Sequence, residues 1–245
     1  FSNWHLVQPF RLLAHNGEIN TIRANERAME DVEGRLGGHG VLLRHGSDSS
    51  QLDRAVGFLA TRGFGSLPET MRRLLSPNAA EAPDEDVRRY FEASRRMLGT
   101  LGTWEGPAGL LATDGRTLVA QLDRMGLRPL RWVRTRSGRV VIASELGVTP
   151  VQPAEIAEDG QLEPGAMLVV DLDQGALIHP DATDQWIVRE TRLGYAGLST
   201  TNLRALPEAP RGVDLPLHAL RTFGWTRPRA IRVRETAKGG GEPIH

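Results

Sequence analysis

The chain has 245 residues, 40% of them apolar, with 30 Lys+Arg against 30 Asp+Glu. That is enough to bury one sizeable core, and the even charge gives no field to draw the whole molecule to nucleic acid or an anionic membrane. The absence of cysteine excludes disulfides, thiolate metal centres, iron–sulfur ligation and a cysteine nucleophile within these residues. No apolar run approaches the roughly 20 residues of a membrane span, and no secretory leader pattern opens the chain. The expectation is a cytoplasmic protein with neither nucleic acid nor membrane as partner. Phe1 stands where a methionine would open a complete chain, which predicts a piece of something longer.

Residues 8–14 form a short apolar run that stops at His15-Asn16-Gly17, a tripeptide suited to a sharp turn at a strand end. Ile19, Ile22, Met29, Val32 and Leu36 then fall roughly on one helical face, broken by Gly34, Gly37, Gly38 and Gly40. Gly46-Ser47-Asp48-Ser49-Ser50 offers several caps for a helix carrying Leu52, Val56, Leu59 and Ala60, which Gly63 and Gly65 end. Ser66-Leu67-Pro68-Glu69 matches a capping box with proline in the first turn, opening a short helix through Leu75. A fourth helix, from about Asp84 to Leu98, places Val87, Tyr90, Phe91 and Leu98 inward.

From residue 107 the pattern changes to strand-like runs at 107–113, 116–122, 129–135, 139–144 and 166–172. Asp114-Gly115, Ser137-Gly138 and Asp173-Gln174-Gly175 separate them as hairpin turns. Helices followed by such a meander predict an α+β layered domain rather than a doubly wound one. Beyond Ala176 to His179 the pattern thins. Residues 206–216 read as an inter-domain linker, and the tail from Leu217 as the start of another domain.

Asn16 and Gly17 set a side-chain amide beside a backbone N–H at a strand end. Two such donors can hold a developing oxyanion, and the same pair also suits an ordinary turn. Asp48 among serines is either a helix cap or a carboxylate that receives a ligand ammonium group. The arginines at 128, 131, 134, 136 and 139 interleave with strand residues and mark an exposed face. His39 and His45, near Asp48 and Asp53, lack metal-ligand spacing. Neither Gly63-Phe64-Gly65 nor Gly239-Gly240-Gly241 has the lysine and setting of a phosphate loop.

Gln8-Pro9-Phe10-Arg11, then Leu13 to Thr21, then Gly46-Ser47-Asp48-Ser49 resemble, in order, the class II (N-terminal nucleophile) glutamine amidotransferase domain of glutamate synthases. Asp123-Arg124-x-Gly126-x-Arg128-Pro129 and Ile142-Ala143-Ser144-Glu145 are similar to a signature shared more widely among class II amidotransferases. Glu163 to Asp171 resembles the strand that follows. Phe223-Gly224-Trp225-Thr226 and Gly241-Glu242-Pro243-Ile244 resemble the start of the glutamate synthase central domain. The resemblance implies an αββα four-layer sandwich, here incomplete at the N-terminus and covering 1–205, with the linker at 206–216 and the central domain opening at 217–245.

It also implies hydrolysis of the glutamine side-chain amide by an N-terminal cysteine whose own α-amine is the base. Ammonia then passes to a second site, where FMN and an iron–sulfur cluster outside these residues support reductive amination of 2-oxoglutarate to glutamate. Carried onto this sequence, Asn16 (side chain) and Gly17 (backbone N–H) form the oxyanion hole, Asp48 binds the glutamine α-amino group, and His15 is a packed motif residue. Implied partners are glutamine, the remainder of the large subunit and a small reductase subunit. The sequence departs from the pattern in having no cysteine, Met125 where asparagine is usual, and a short Glu33 to Leu43 segment; the carboxylate-clamping arginine is expected to precede Phe1, since Phe1 to Arg11 aligns with the segment just after it. A non-catalytic remnant that binds glutamine or supports an assembly is the competing expectation.

Overall fold

The structure is a computed structural model that describes residues 6–36, 40–42, 45–62, 65–75, 84–98, 101–145 and 147–197. The expected linker at 206–216, the tail from Leu217 and the Phe223 to Thr226 and Gly241 to Ile244 motifs lie outside the described residues. The elements run β1 (Leu13–Gly17), α1 (Ile22–Leu36), α2 (Asp48–Thr61), α3 (Leu67–Leu74), α4 (Glu85–Leu98), β2 (Ala108–Thr113), β3 (Thr117–Leu122), β4 (Arg131–Thr135), β5 (Val140–Ala143), β6 (Ile156–Gln161), β7 (Met167–Asp171), β8 (Ala176–Ile178) and α5 (Pro180–Gly197).

Local chemistry accounts for the starts of the helices. Ser47, not Asp48, caps α2: its side chain accepts the Ser50 N–H at 3.2 Å, leaving Asp48 inside the first turn, where the helix dipole favours a carboxylate. Ser66 caps α3 by accepting the Glu69 N–H at 3.4 Å, with Pro68 in the first turn. The Glu69 carboxylate reaches back to the Ser66 backbone N–H, the reciprocal half of the capping box, and also pairs with Arg73, one turn along the helix.

The strands form two antiparallel sheets, β1-β2-β3-β7-β8 and β5-β4-β6. This corrects the simple meander. β4, β5 and β6 fold off together, so β3 takes β7 as its second neighbour, with Val119 opposite Val169. Period-two alternation explains the layering. Leu13, Leu110, Ala112, Val119, Met167 and Val169 face α1, α2, α3 and α5 in one core. The opposite face offers Ala120, Leu122 and Leu168 to Trp132 of the second sheet and to Leu130 and Leu162, which flank its strands β4 and β6. α4 completes the helical side by packing Val87 and Phe91 against Val188 of α5.

Among the described residues the order is therefore helices, sheet, sheet, three of the four layers expected of the sandwich. On the outer face of the second sheet, the segment Gly147 to Val151 lies beside Val133, Val141 and Ala143 and borders a cleft of about 220 Å³.

Candidate active site

β1 ends where two backbones come unusually close. Gly17 has φ +141°, and a Cβ there would stand 1.7 Å from the Pro107 carbonyl oxygen. Across the gap, a Cβ on Gly106 (φ +154°) would meet the Glu18 oxygen at 2.0 Å. Only glycine fits at either position. The closeness allows Glu18 N–H to reach Pro107 O at 3.0 Å and Asn20 N–H to reach Glu105 O at 2.7 Å. Thr21 Oγ1 then accepts the Glu105 N–H at 2.9 Å, and Asn25 Nδ2 donates to Thr103 O at 3.1 Å. The chain leaving β1 is thus pinned before α1 begins.

The ladder also decides where the Gly17 N–H points. Thr113 N–H donates to Leu12 O, and Glu18 N–H to Pro107 O. Antiparallel alternation therefore turns the N–H groups of Leu13, His15 and Gly17 away from β2. Leu13 N–H meets Asp53 Oδ1 at 3.1 Å, and His15 N–H meets the Gln8 side-chain carbonyl. The Gly17 N–H has no acceptor among the described residues. The Asn16 side chain is exposed on the strand face opposite His15 and is likewise unbonded there. One strand end thus presents two open donors.

Asp48 lies beside them, because its Oδ2 accepts the N–H of Ile19, two residues past Gly17, at 2.9 Å. Its Oδ1 accepts from the Ser49 N–H at 2.7 Å and the Ser49 hydroxyl at 3.1 Å. Its side chain is 20% exposed. Ser49 in turn lies 2.7 Å from His15 Nδ1. The imidazole is buried, and that burial holds its pKa below the usual 6.5, opposed by the nearby Asp48 carboxylate and reinforced by the Arg128 charge. His15 is accordingly neutral near pH 7, and its 3.9 Å approach to Asp48 is not an ion pair.

The Asp123 loop buttresses the same corner. Asp123 is buried, and its carboxylate accepts the N–H groups of Ala108 at 2.9 Å, Met125 at 2.8 Å and Gly126 at 3.2 Å. Asp123 N–H donates to Ala108 O, and Gly165 N–H returns to Asp123 O. Ala108 stands opposite Gly17 in the register, so the loop fixes the strand that faces the open donors. Sequence reasoning assigned Asp123 no role. An acidic residue between a strand and a glycine turn was the available signal, since such a carboxylate caps several N–H groups at once. Met125 is 65% exposed on this loop.

A family profile described as class-II glutamine amidotransferases matches residues 1–194. The chain belongs to that family. It is 36% identical over 188 residues to the NADH glutamate synthase of Saccharomyces cerevisiae, covering 73% of this chain and 9% of that protein. It is 34% identical over 258 residues to the ferredoxin-dependent glutamate synthase 2 of Arabidopsis thaliana, covering 98% and 16%. With the NADPH glutamate synthase large chain of Azospirillum brasilense the identity is 33% over 230 residues, covering 84% and 15%. The class-II amidotransferase chain thus spans only a small part of the length of these curated relatives. A solved PRPP amidotransferase from B. subtilis overlaps 66% of it and is itself covered over 27% of its length, at TM-score 0.36 and 20% identity.

Proposed function

We propose that these residues form part of the glutamine-hydrolysing unit of a glutamate synthase, which delivers ammonia for reductive amination of 2-oxoglutarate to glutamate. The observation that carries this reading is the pair of open donors at the end of β1, Asn16 and the Gly17 N–H, next to an Asp48 carboxylate with a free acceptor site. When a nucleophile attacks the glutamine amide carbon, charge develops on the carbonyl oxygen, where the Asn16 amide and Gly17 N–H stabilise it. Asp48 holds the α-ammonium group through a charge-assisted hydrogen bond. Ammonia is the leaving group.

The nucleophile is not a cysteine of this chain, which has none, and neither can this chain ligate an iron–sulfur cluster through thiolates. We assign the flavin and the cluster of the second reaction to other parts of the protein, as the family resemblance implies. NADPH, NADH or ferredoxin supplies electrons in the named relatives, and the described residues carry nothing that selects among them.

In the full-length protein, Asn16→Ala should lower glutamine-dependent kcat by about 10²–10³-fold with little change in KM, the signature of a donor used in the transition state. Retained kcat would sink the oxyanion-hole assignment. The missing cysteine favours a second reading for the isolated 245 residues, that of a glutamine-binding piece without hydrolysis. Incubated with glutamine, that piece should release no ammonia; measurable release would place a nucleophile among these residues.

A further inference from the structure

Building on the reading of Asp48 as the ammonium acceptor, we propose that His15 is a positioning residue. Held as the neutral Nδ1–H tautomer, it donates to Ser49 Oγ, and the Ser49 hydroxyl donates to Asp48 Oδ1. The relay joins the strand that bears the oxyanion donors to the carboxylate that receives the other end of the substrate.

Proton counting carries the argument. Ser49 Oγ lies 2.7 Å from His15 Nδ1 and 3.1 Å from Asp48 Oδ1, and it has one proton to give. If that proton went to Nδ1, Nε2 would carry the imidazole hydrogen, and His15 Nε2 is buried with no partner among the described residues. A buried N–H without an acceptor is the rarer and costlier arrangement, whereas an unused acceptor lone pair is better tolerated. The opposite assignment satisfies every donor: Nδ1–H to Ser49 Oγ, Oγ–H to Asp48 Oδ1, and a bare Nε2 in the core. The depressed basicity of His15 is consistent with this neutral form.

The consequence falls on Asp48. A carboxylate offers about four acceptor sites. Ile19 N–H occupies one on Oδ2, while Ser49 N–H and Ser49 Oγ–H occupy two on Oδ1. One site remains on a side chain that is 20% exposed. The two ends of the ligand are therefore gauged from one strand: Asn16 and Gly17 hold the reacting amide, and His15, on the opposite face of β1, sets the orientation of the carboxylate for the ammonium group. Loss of the relay frees Asp48 to rotate without removing it.

Two measurements test this. In ¹⁵N-histidine-labelled protein, with His15 assigned by its loss in His15→Asn, Nδ1 should be the protonated nitrogen of the neutral ring. An Nε2–H tautomer there overturns the relay. In the full-length protein, His15→Gln and Ser49→Ala should raise the glutamine KM at least about 10-fold with a smaller change in kcat. His15→Asn, whose amide N–H can occupy the place of Nδ1, should stay within about 3-fold of the wild type. A purely structural His15 would make Asn and Gln equally poor, and that result overturns the proposal. Asp48→Asn separates the two levels. If it binds glutamine normally, the reading of Asp48 fails and the proposal with it. If Asp48→Asn fails while His15→Gln and Ser49→Ala bind normally, the reading stands and the relay alone falls.

Discussion

Two of the regions that bury charged side chains differ in what is left over. At the junction of α3 with α5, Arg72 sends Nε and Nη2 to the two oxygens of Asp184, each at 2.6 Å, and Nη1 to the Gly165 carbonyl at 2.6 Å. Below them, Thr183 Oγ1 donates to Met167 O at 2.9 Å. That junction is closed, with each charged group spent on holding helices to the first sheet. At the junction of β1 with α2, by contrast, Asp48 keeps an unfilled acceptor site, and Asn16 and the Gly17 N–H keep unused donors. Burial of charge is common to both places. Spare hydrogen-bonding capacity, directed to where solvent can enter, marks the second as the site.

The largest expected effect blurs the comparison, because at Gly17 site and scaffold are one. Gly17→Ala would place its methyl 1.7 Å from the Pro107 oxygen at φ +141°, so β1 must part from β2. We expect a loss of at least about 3 kcal/mol in denaturant unfolding; a loss below about 1 kcal/mol would show that the close approach is not built in. Next, Arg72→Met should cost about 2–3 kcal/mol, because it strands Asp184 and the Gly165 carbonyl. This is somewhat less than a fully buried pair would cost, since Asp184 is 27% exposed. Glutamine affinity should not change, and a weakened affinity would break the division between the two regions. Asp48→Asn should do the reverse. Stability should shift by no more than about 1 kcal/mol, while glutamine binding weakens roughly 10–100-fold through loss of a charge-assisted bond.

The helical half of this architecture was legible in the sequence because its signals are local. Ser47 and Ser66 cap where serine before an apolar period predicts a cap, and α1, α2 and α4 follow their apolar stripes. Strand pairing was less so. Nothing local in Thr117 to Leu122 says that its second neighbour will be Met167 to Asp171 rather than the next strand, because that choice is made by which face each sheet must cover.

β6 escaped notice since Ile156-Ala157-Glu158-Asp159-Gly160-Gln161 is half-exposed and nearly without apolar residues. It pairs through its backbone with β4, and Gly160 leaves room for Trp132. α5 escaped because Trp186, Ile187 and Val188 are consecutive and give no 3.6-residue stripe, although Pro180 and Asp181 stand in its first turn. At the site, Asn16, Gly17 and Asp48 took their roles from family resemblance, and all three had ordinary alternatives on spacing alone. Structure separates these alternatives at Asp48, where the capping role belongs to Ser47. Ser49 and Asp123 needed coordinates, since their partners lie 34 and 15 residues away.

The smallest expected effect is also the most discriminating between the two junctions, because it depends on a group that titrates in one of them. Burial lowers the His15 pKa in the folded protein below the 6.5 it has when exposed, so the unfolded chain binds a proton more readily. The stability this contributes is fully present above pH 6.5 and is lost as pH falls through the folded pKa. His15→Asn keeps an N–H for Ser49 but cannot titrate. Unfolding free energy of the wild type should therefore decline more steeply than that of His15→Asn as pH drops below 6.5. The extra slope is at most one proton, about 1.4 kcal/mol per pH unit. Among the described residues no imidazole bonds to Arg72 or Asp184, so Arg72→Met should lower the whole curve without removing that slope. Parallel curves for wild type and His15→Asn would mean that the imidazole is not held neutral by its surroundings, and the neutral ring on which the relay to Ser49 is built would lose its support.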